Sequence, residues 1–132
     1  MIEDLSILRA RFDAAYDHPA PVIRANRPTQ DIADILRVSI SFSPGASQRS
    51  STGRTQYRQT QLGRIIAVVR DKKGEGTGAA NELAQHIRDI FEEWSTDNLW
   101  CGGADVDVYE DRGYEIRVSI PWRSSRLKNR PA

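Results

Sequence analysis

Few residues of this chain have the types and spacing that chemistry needs. Gly74-x-Gly76-x-x-Ala79 follows an apolar segment and leads into a helical stripe. Backbone amides at such a turn can hold a phosphate. Asp71-Lys72-Lys73 separates the apolar segment from the glycines, however, and no Gly-Lys-Ser/Thr follows. The stretch reads as a connector rather than a nucleotide cradle. Asp105 and Asp107 lie two residues apart, with Glu110 and Asp111 close by, a set that can ligate magnesium. The strand register derived below gives Asp107 a basic partner, and no metal site is assigned. Cys101 precedes Gly102-Gly103, and His18 and His86 fall on different helical segments. A nucleophile needs a base within hydrogen-bond reach and a third group to orient that base. Nothing local supplies them, and a buried, inert cysteine is the simpler reading. No catalytic residue and no cofactor is assigned.

The remaining set is the most informative. Ser43–Gln61 is polar and carries Arg49, Arg54, Tyr57 and Arg58 with no acid. Arginine interleaved with an aromatic suits single-stranded nucleic acid. It equally suits an arm that orders against an acidic protein surface, and a merely solvated loop needs no ligand at all. The segment exceeds the roughly 12–15 residues beyond which unstructured loops are usually functional or disordered. It is expected to be a long mobile loop.

The elements that must position these residues follow from periodicity. Ile2, Leu5, Leu8, Phe12 and Ala15 recur at three- and four-residue steps and predict an amphipathic helix. Glu3 and Asp4 suit its positive N-terminal end, and Pro19 and Pro21 end it. Val22–Ala25, bounded by prolines, predicts an edge strand, and Asn26–Thr29 a turn. Leu36, Val38, Ile40 and Phe42 alternate with Arg37, Ser39 and Ser41, a strand with one buried face. Ile65, Ile66, Val68 and Val69 predict a central strand over Leu62–Arg70, apolar on both faces. Ala80, Leu83, Ala84, Ile87, Ile90, Phe91 and Trp94 form the strongest helical stripe. Its outer face carries Glu82, Asp89, Glu92 and Glu93, and Ser95–Asn98 ends it.

A hairpin closes the chain, and its register can be derived. Ala104, Val106 and Val108 share a face, as do Tyr114, Ile116, Val118, Ile120 and Trp122. Same-face residues must pair, which sets Val108 opposite Ile116, Val106 opposite Val118 and Asp107 opposite Arg117. Asp111-Arg112-Gly113 is left as the turn. Pro121 should end the ladder, and residues 124–132 read as a frayed basic tail. The order is α-β-β-β-α-β-β. The expected fold is a single α+β domain over residues 1–123, a four- or five-stranded, mostly antiparallel sheet with both helices on one face.

Composition bounds the function classes. With 132 residues, 39% hydrophobic and 28% charged, the chain fits one globular domain. No apolar run approaches the ~18 residues of a membrane span, and the acidic N-terminus is not a secretory signal. One cysteine excludes an internal disulfide and points to a reducing compartment. Net charge is +1, but the charge is segregated. Residues 37–73 hold eight basic side chains against Asp71 alone, whereas residues 74–111 hold ten acids against Arg88 alone. Opposed blocks of this kind suit complementary surfaces, unless they interleave in space and cancel.

Taken in order, these elements resemble the tail terminator (tail completion) proteins of long-tailed bacteriophages and phage-like particles. The resemblance runs over residues 1–123. It rests on the N-terminal amphipathic helix, the proline-flanked strand with Asn26-x-Pro28, and Leu36-Arg37-Val38-Ser39-Ile40. It continues through the polar loop, Gly63-Arg64-Ile65-Ile66-Ala67-Val68, the glycine-bearing connector into Ala80-x-x-Leu83-Ala84-x-x-Ile87, and Arg117-Val118-Ser119-Ile120-Pro121-Trp122. The resemblance implies a homo-oligomeric ring, a hexamer, that caps the tail tube, stops its polymerisation and offers a face to the head connector. The implied partners are further copies of the chain, the major tail tube protein and a head-completion protein, with no membrane, no specific nucleic acid and no cofactor. The implied location is the neck of the virion tail, assembled in the host cytoplasm. By position, Arg49, Arg54, Tyr57 and Arg58 would meet the tube or a partner, and Glu82, Asp89, Glu92 and Glu93 a neighbouring subunit. Another neck connector and a small nucleic-acid-binding module are the alternatives.

Overall fold

The computed structural model describes residues 2–24, 36–51, 55–71, 77–110 and 114–129. The expected turn at Asn26–Thr29, the connector glycines Gly74 and Gly76, the turn at 111–113 and Arg54 lie outside the described residues. Helix α1 (Ile2–Ala15) leads to β1 (Val22–Arg24), β2 (Arg37–Ser51) and β3 (Gln56–Asp71). Helix α2 (Thr77–Phe91) follows, then β4 (Ser95–Thr96), β5 (Leu99–Cys101), β6 (Asp105–Tyr109) and β7 (Tyr114–Asn129). The seven strands form one sheet in the order β1-β2-β3-β7-β5-β4, with β6 also on β7. Every pairing is antiparallel except β1 with β2. The fold is the expected α+β arrangement, with the short β4–β5 hairpin added between α2 and β6.

The core lies between the helices and one face of the sheet. Alternation along β2, β3 and β7 sends Val38, Ile40, Ile65, Ala67, Val69, Ile116, Val118, Ile120 and Trp122 inward. Leu8 and Phe12 of α1 and Leu83, Ile87 and Phe91 of α2 close over them. The rings of Phe12 and Phe91 stack at 6.3 Å and join the two helices. Among the described residues, no helix covers the opposite face. There Ile66 and Val68 of β3 are only half-buried, beside Ser39, Ser41 and Ser119. Among the described residues the central strand is therefore central in order but covered by helices on one side.

The register of β6 on β7 is the derived one, with Val106, Asp107 and Val108 opposite Val118, Arg117 and Ile116. Two expectations on β7 are corrected. Pro121 does not end the ladder, because its missing amide faces the point where β7 changes neighbour from β6 to β5. There only its carbonyl is needed, and it accepts from Gly102 N at 2.8 Å. Nor does the chain fray at 124. Strand β7 continues to Asn129, paired residue by residue with β3 back to Gln56.

Candidate functional site

The polar segment Ser43–Gln61, expected as a mobile loop, is instead mostly strand. The far halves of β2 and β3 pair from Ser47↔Gln61 to Ser51↔Tyr57, and β7 joins them on the other side. The result is a three-stranded arm that continues the sheet beyond its apolar core. Polar composition argued against order because little apolar surface is available to offset chain entropy. Pairing β3 on both sides satisfies its backbone, and a buried anchor holds the third strand.

That anchor is Asp4, in the first turn of α1. Its carboxylate accepts from Ser124 Oγ at 2.6 Å, and from Arg126 Nη2 at 2.7 Å and Nε at 3.2 Å. Asp4 is 1% exposed, and Glu3 adds a longer contact to Arg126 at 3.7 Å. The helix N-terminus thus grips the strand that carries Leu127 and Lys128.

Where the arm leaves the core, β2 shifts register between Pro44 and Ser47. Such a bulge leaves carbonyls without strand partners. The amide of buried Gln61 supplies them, donating to Gly45 O at 2.9 Å and, more weakly, to Ala46 O at 3.4 Å. Beside it, Gly63 leaves room for the indole of Trp122. A Cβ at Gly63 would come within 2.4 Å of both Trp122 and the Ser43 carbonyl. Ser43, Pro44, Gly45, Leu62, Gly63 and Arg64 line a shallow cavity of about 330 Å³ at this junction.

The arm presents cations on both faces. On the helix side, Arg49 stacks over Tyr57 at 4.8 Å, worth roughly 0.5–1 kcal/mol at an exposed site. On the opposite face Arg58 donates to Ser125 at 3.0 Å, and Arg123 stacks over the exposed Trp100 at 5.2 Å. Exposed Leu62 and Leu127 share that face. Of the four residues expected at the partner-binding site, Arg49 and Tyr57 are brought together on one face of the arm, and Arg58 lies on the other. Trp100 and Arg123 were not anticipated. Their cross-strand pairing on β5 and β7 depends on the short hairpin that sequence periodicity did not reveal.

The acidic residues separate into two groups. Glu82 and Asp89 are exposed on α2, and Asp89 accepts from Gln85 at 2.8 Å. Helix α2 ends at Phe91, so Glu92 and Glu93 lie beyond it. Glu93 takes φ of 59°, and its amide donates to Gly102 O. Glu92 turns back into its own chain, accepting from Ala104 N at 2.7 Å and from Arg88 at 3.2 Å. The Ala104 amide, aided by Arg88, holds its carboxyl below the usual range against the effect of desolvation. Glu92 therefore acts as a local clasp between α2 and the approach to β6, which corrects its expected place on an open helix face.

The groups weighed for catalysis are occupied structurally. Cys101 is buried, and desolvation pushes its thiol up to about 12 despite the charge of Arg11. His18 and His86, expected apart, have ring centroids 6.3 Å apart. His18 lies beyond the end of α1, and its Nδ1 accepts from Ala20 N. His86 Nε2 accepts from Asp17 N. Both pin the bend between α1 and β1. Arg117 lies opposite Asp107 as derived, yet its guanidinium donates to Glu115 at 2.9 Å and lies over Tyr109. Among the described residues no group of three or more His, Cys, Asp and Glu side chains is placed to hold a metal ion.

Fold and site together define a small α+β sheet protein with a cationic arm and an acidic flank. No family model matches the chain. The ATP synthase gamma chain of Staphylococcus haemolyticus (strain JCSC1435) is 30% identical over an 89-residue alignment that covers 64% of this chain and 31% of that one. The chain thus spans about a third of the length of that relative. A solved structure known only by a sequence identifier aligns over 96% of this chain and 97% of its own, with a TM-score of 0.53 and 18% identity. At that identity the likeness concerns the fold alone.

Proposed function

We propose that this protein is a structural assembly subunit of the tail-terminator kind. Copies form a ring, a hexamer, that caps the tail tube of a long-tailed phage or phage-like particle. The ring ends tube polymerisation and offers its other face to a head-completion protein in the neck of the virion, after assembly in the host cytoplasm. The reading assigns the protein no turnover and no cofactor. The observation that carries it is the segregation of charge on an ordered frame. Arg49 and Arg58 ride on an arm, while Glu82, Asp89 and Glu93 lie on and just beyond α2. A ring needs two different patches that meet head to tail, and opposed charges on one protomer supply them. Native mass measurement of the purified protein, alone and with isolated tail tubes, tests this. A ring bound to tube ends is expected. Strictly single-copy protein in both samples, or a measurable chemical product, overturns the reading. Assembly should weaken with salt, and an oligomer population unchanged from low to high salt removes the charge mechanism while leaving the ring.

A second reading rests on the aromatic–arginine pairs of the arm, Arg49 over Tyr57 and Arg123 over Trp100. These are the elements with which a nucleic-acid-binding module stacks bases and tracks phosphates. It predicts affinity for single-stranded DNA or RNA that falls steeply with salt and is lost in an Arg49→Ala/Arg58→Ala variant. No retention in filter binding at low salt removes it.

A further inference from the structure

Strand β6 is an anomaly in this sheet. Its inner edge pairs with β7, and among the described residues no strand pairs with its outer edge. All five of its residues are exposed, including Val106 at 40% and Val108 at 50%. These two valines are on the helix side, in register with buried Val118 and Ile116, yet are themselves exposed. The alternate residues, Asp105 and Asp107, point to the open side. Sheet edges in monomers are usually blunted on both faces or covered. Here only one face is charged, and the other is apolar.

The opposite margin of the sheet also has an unpaired edge, displaced along the strands from the level of β6. Strand β1 pairs only with Val38–Ile40, so the outer edge of β2 from Ser41 to Ser51 has no strand partner among the described residues. The pairings β2–β3, β3–β7 and β7–β6 are all antiparallel. Strand direction therefore alternates from β2 to β6. The β2 edge of a second, similarly oriented copy runs antiparallel to β6, with the helix sides of both copies facing the same way. The pairing needs no reversal of either molecule and repeats head to tail.

We infer that β6 takes the outer edge of β2 from a second copy of this chain as an added strand, continuing the sheet from subunit to subunit. The inference rests on the ring reading above and names its interface. The occupant follows from edge polarity and charge. On the open side, Asp105 and Asp107 come beside the polar residues of β2 and within one strand of Arg58, which pairs with Ser50. On the helix side, Val106 and Val108 come beside the face of β2 that carries Pro44 and Arg49. Main-chain hydrogen bonds give such a contact its strength, and alternate side chains give it register. The contact is heterologous, as a closed ring requires.

The test uses the full chain, with mass followed against concentration by light scattering and native mass spectrometry. Val106→Lys/Val108→Lys places two cations on the apolar side of the edge. It is expected to raise the apparent dissociation constant about tenfold or more. Val106→Thr/Val108→Thr keeps β-branched side chains and should retain assembly. Circular dichroism and thermal melting of both variants confirm that β6 still folds. A Ser50→Glu/Arg58→Glu variant disables the other edge by placing acids near Asp105 and Asp107. Mixed with the lysine variant, each partner retains one working edge, and the mixture should stop at dimers. Undiminished assembly of the folded lysine variant overturns the β6 interface and leaves the ring reading standing. A wild-type chain that stays single-copy at every concentration overturns this inference. Single-copy behaviour with tail tubes present also overturns the ring.

Discussion

Replacing Asp4 by alanine tests whether the arm is held as described. Its side chain is 2% exposed, and Arg126 is 18% exposed. The substitution removes the shared acceptor of Ser124 and Arg126 and leaves a largely buried guanidinium without its main partner. Breaking a buried pair from one side costs about 3–5 kcal/mol. The residual solvent access of Arg126, and Glu3 at 3.7 Å, place this case near the low end. About 3 kcal/mol is expected, which for a chain of this size lowers Tm by roughly 10 °C. Urea unfolding gives the free energy directly. A cycle with Ser124→Ala and Arg126→Met separates the carboxylate's coupling to each partner. The double variant Asp4→Ala/Arg126→Met should recover part of the loss, because no buried charge remains. If Asp4→Ala lies within about 0.5 kcal/mol of wild type, the range of ordinary surface substitutions, Asp4 does not anchor β7.

Three further outcomes are expected. Gly63→Ala should lower stability by about 2 kcal/mol or more, because its methyl group meets the Trp122 ring and the Ser43 carbonyl; wild-type Tm in this variant contradicts the close approach. Burial alone would raise the pKa of Glu115, but hydrogen bonds and charge from Arg70 and Arg117 outweigh it and leave the net value below 4.5. A depressed carboxyl contributes stability that is full above its unfolded pKa and is lost as pH falls through the folded one. Stability should therefore decline below about pH 4.5, and Glu115→Gln should flatten that acid limb; an unchanged limb means another carboxylate dominates. Cys101, with its thiol raised to about 12, should resist thiol reagents at neutral pH until urea unfolds the chain. Stoichiometric labelling of the native protein contradicts its burial.

Much of the core was legible in the sequence. The stripe from Leu5 to Ala15 marks α1, and that from Ala80 to Phe91 marks α2, because three- and four-residue spacing has one physical reading. The β6–β7 register followed from face matching alone. The arm was not legible. Ser47–Ser51 and Arg123–Lys128 have no apolar alternation strong enough to mark strands, and their order depends on partners distant in the chain. Asp4 read as a helix-end carboxylate, which it is. That the same side chain grips Arg126, 122 residues away, has no local signature. Pro121 misled for a related reason. Whether a proline ends a strand depends on what faces its missing amide, here a change of neighbouring strand. Glu92 followed the helical stripe in sequence, but the helix stops one residue earlier, and its carboxylate turns inward to Ala104.

The order of the arm changes what partner binding requires. A disordered cationic loop must lose backbone entropy of roughly 1–2 kcal/mol per residue when it settles on a partner, and that cost is subtracted from the affinity of its contacts. In the folded chain much of that loss has already occurred, offset by strand pairing and by the Asp4 anchor. Arg49 and Arg58 are thus carried on a paired frame before contact. This links the first prediction to assembly. Asp4 lies in the first turn of α1 and bonds to Ser124 and Arg126 of β7. If Asp4→Ala loosens the arm, it should weaken subunit association beyond the loss that global stability accounts for, because the free subunit must then order the arm on binding. Association strength that tracks folding free energy alone would mean that the arm's order is not what the interface uses.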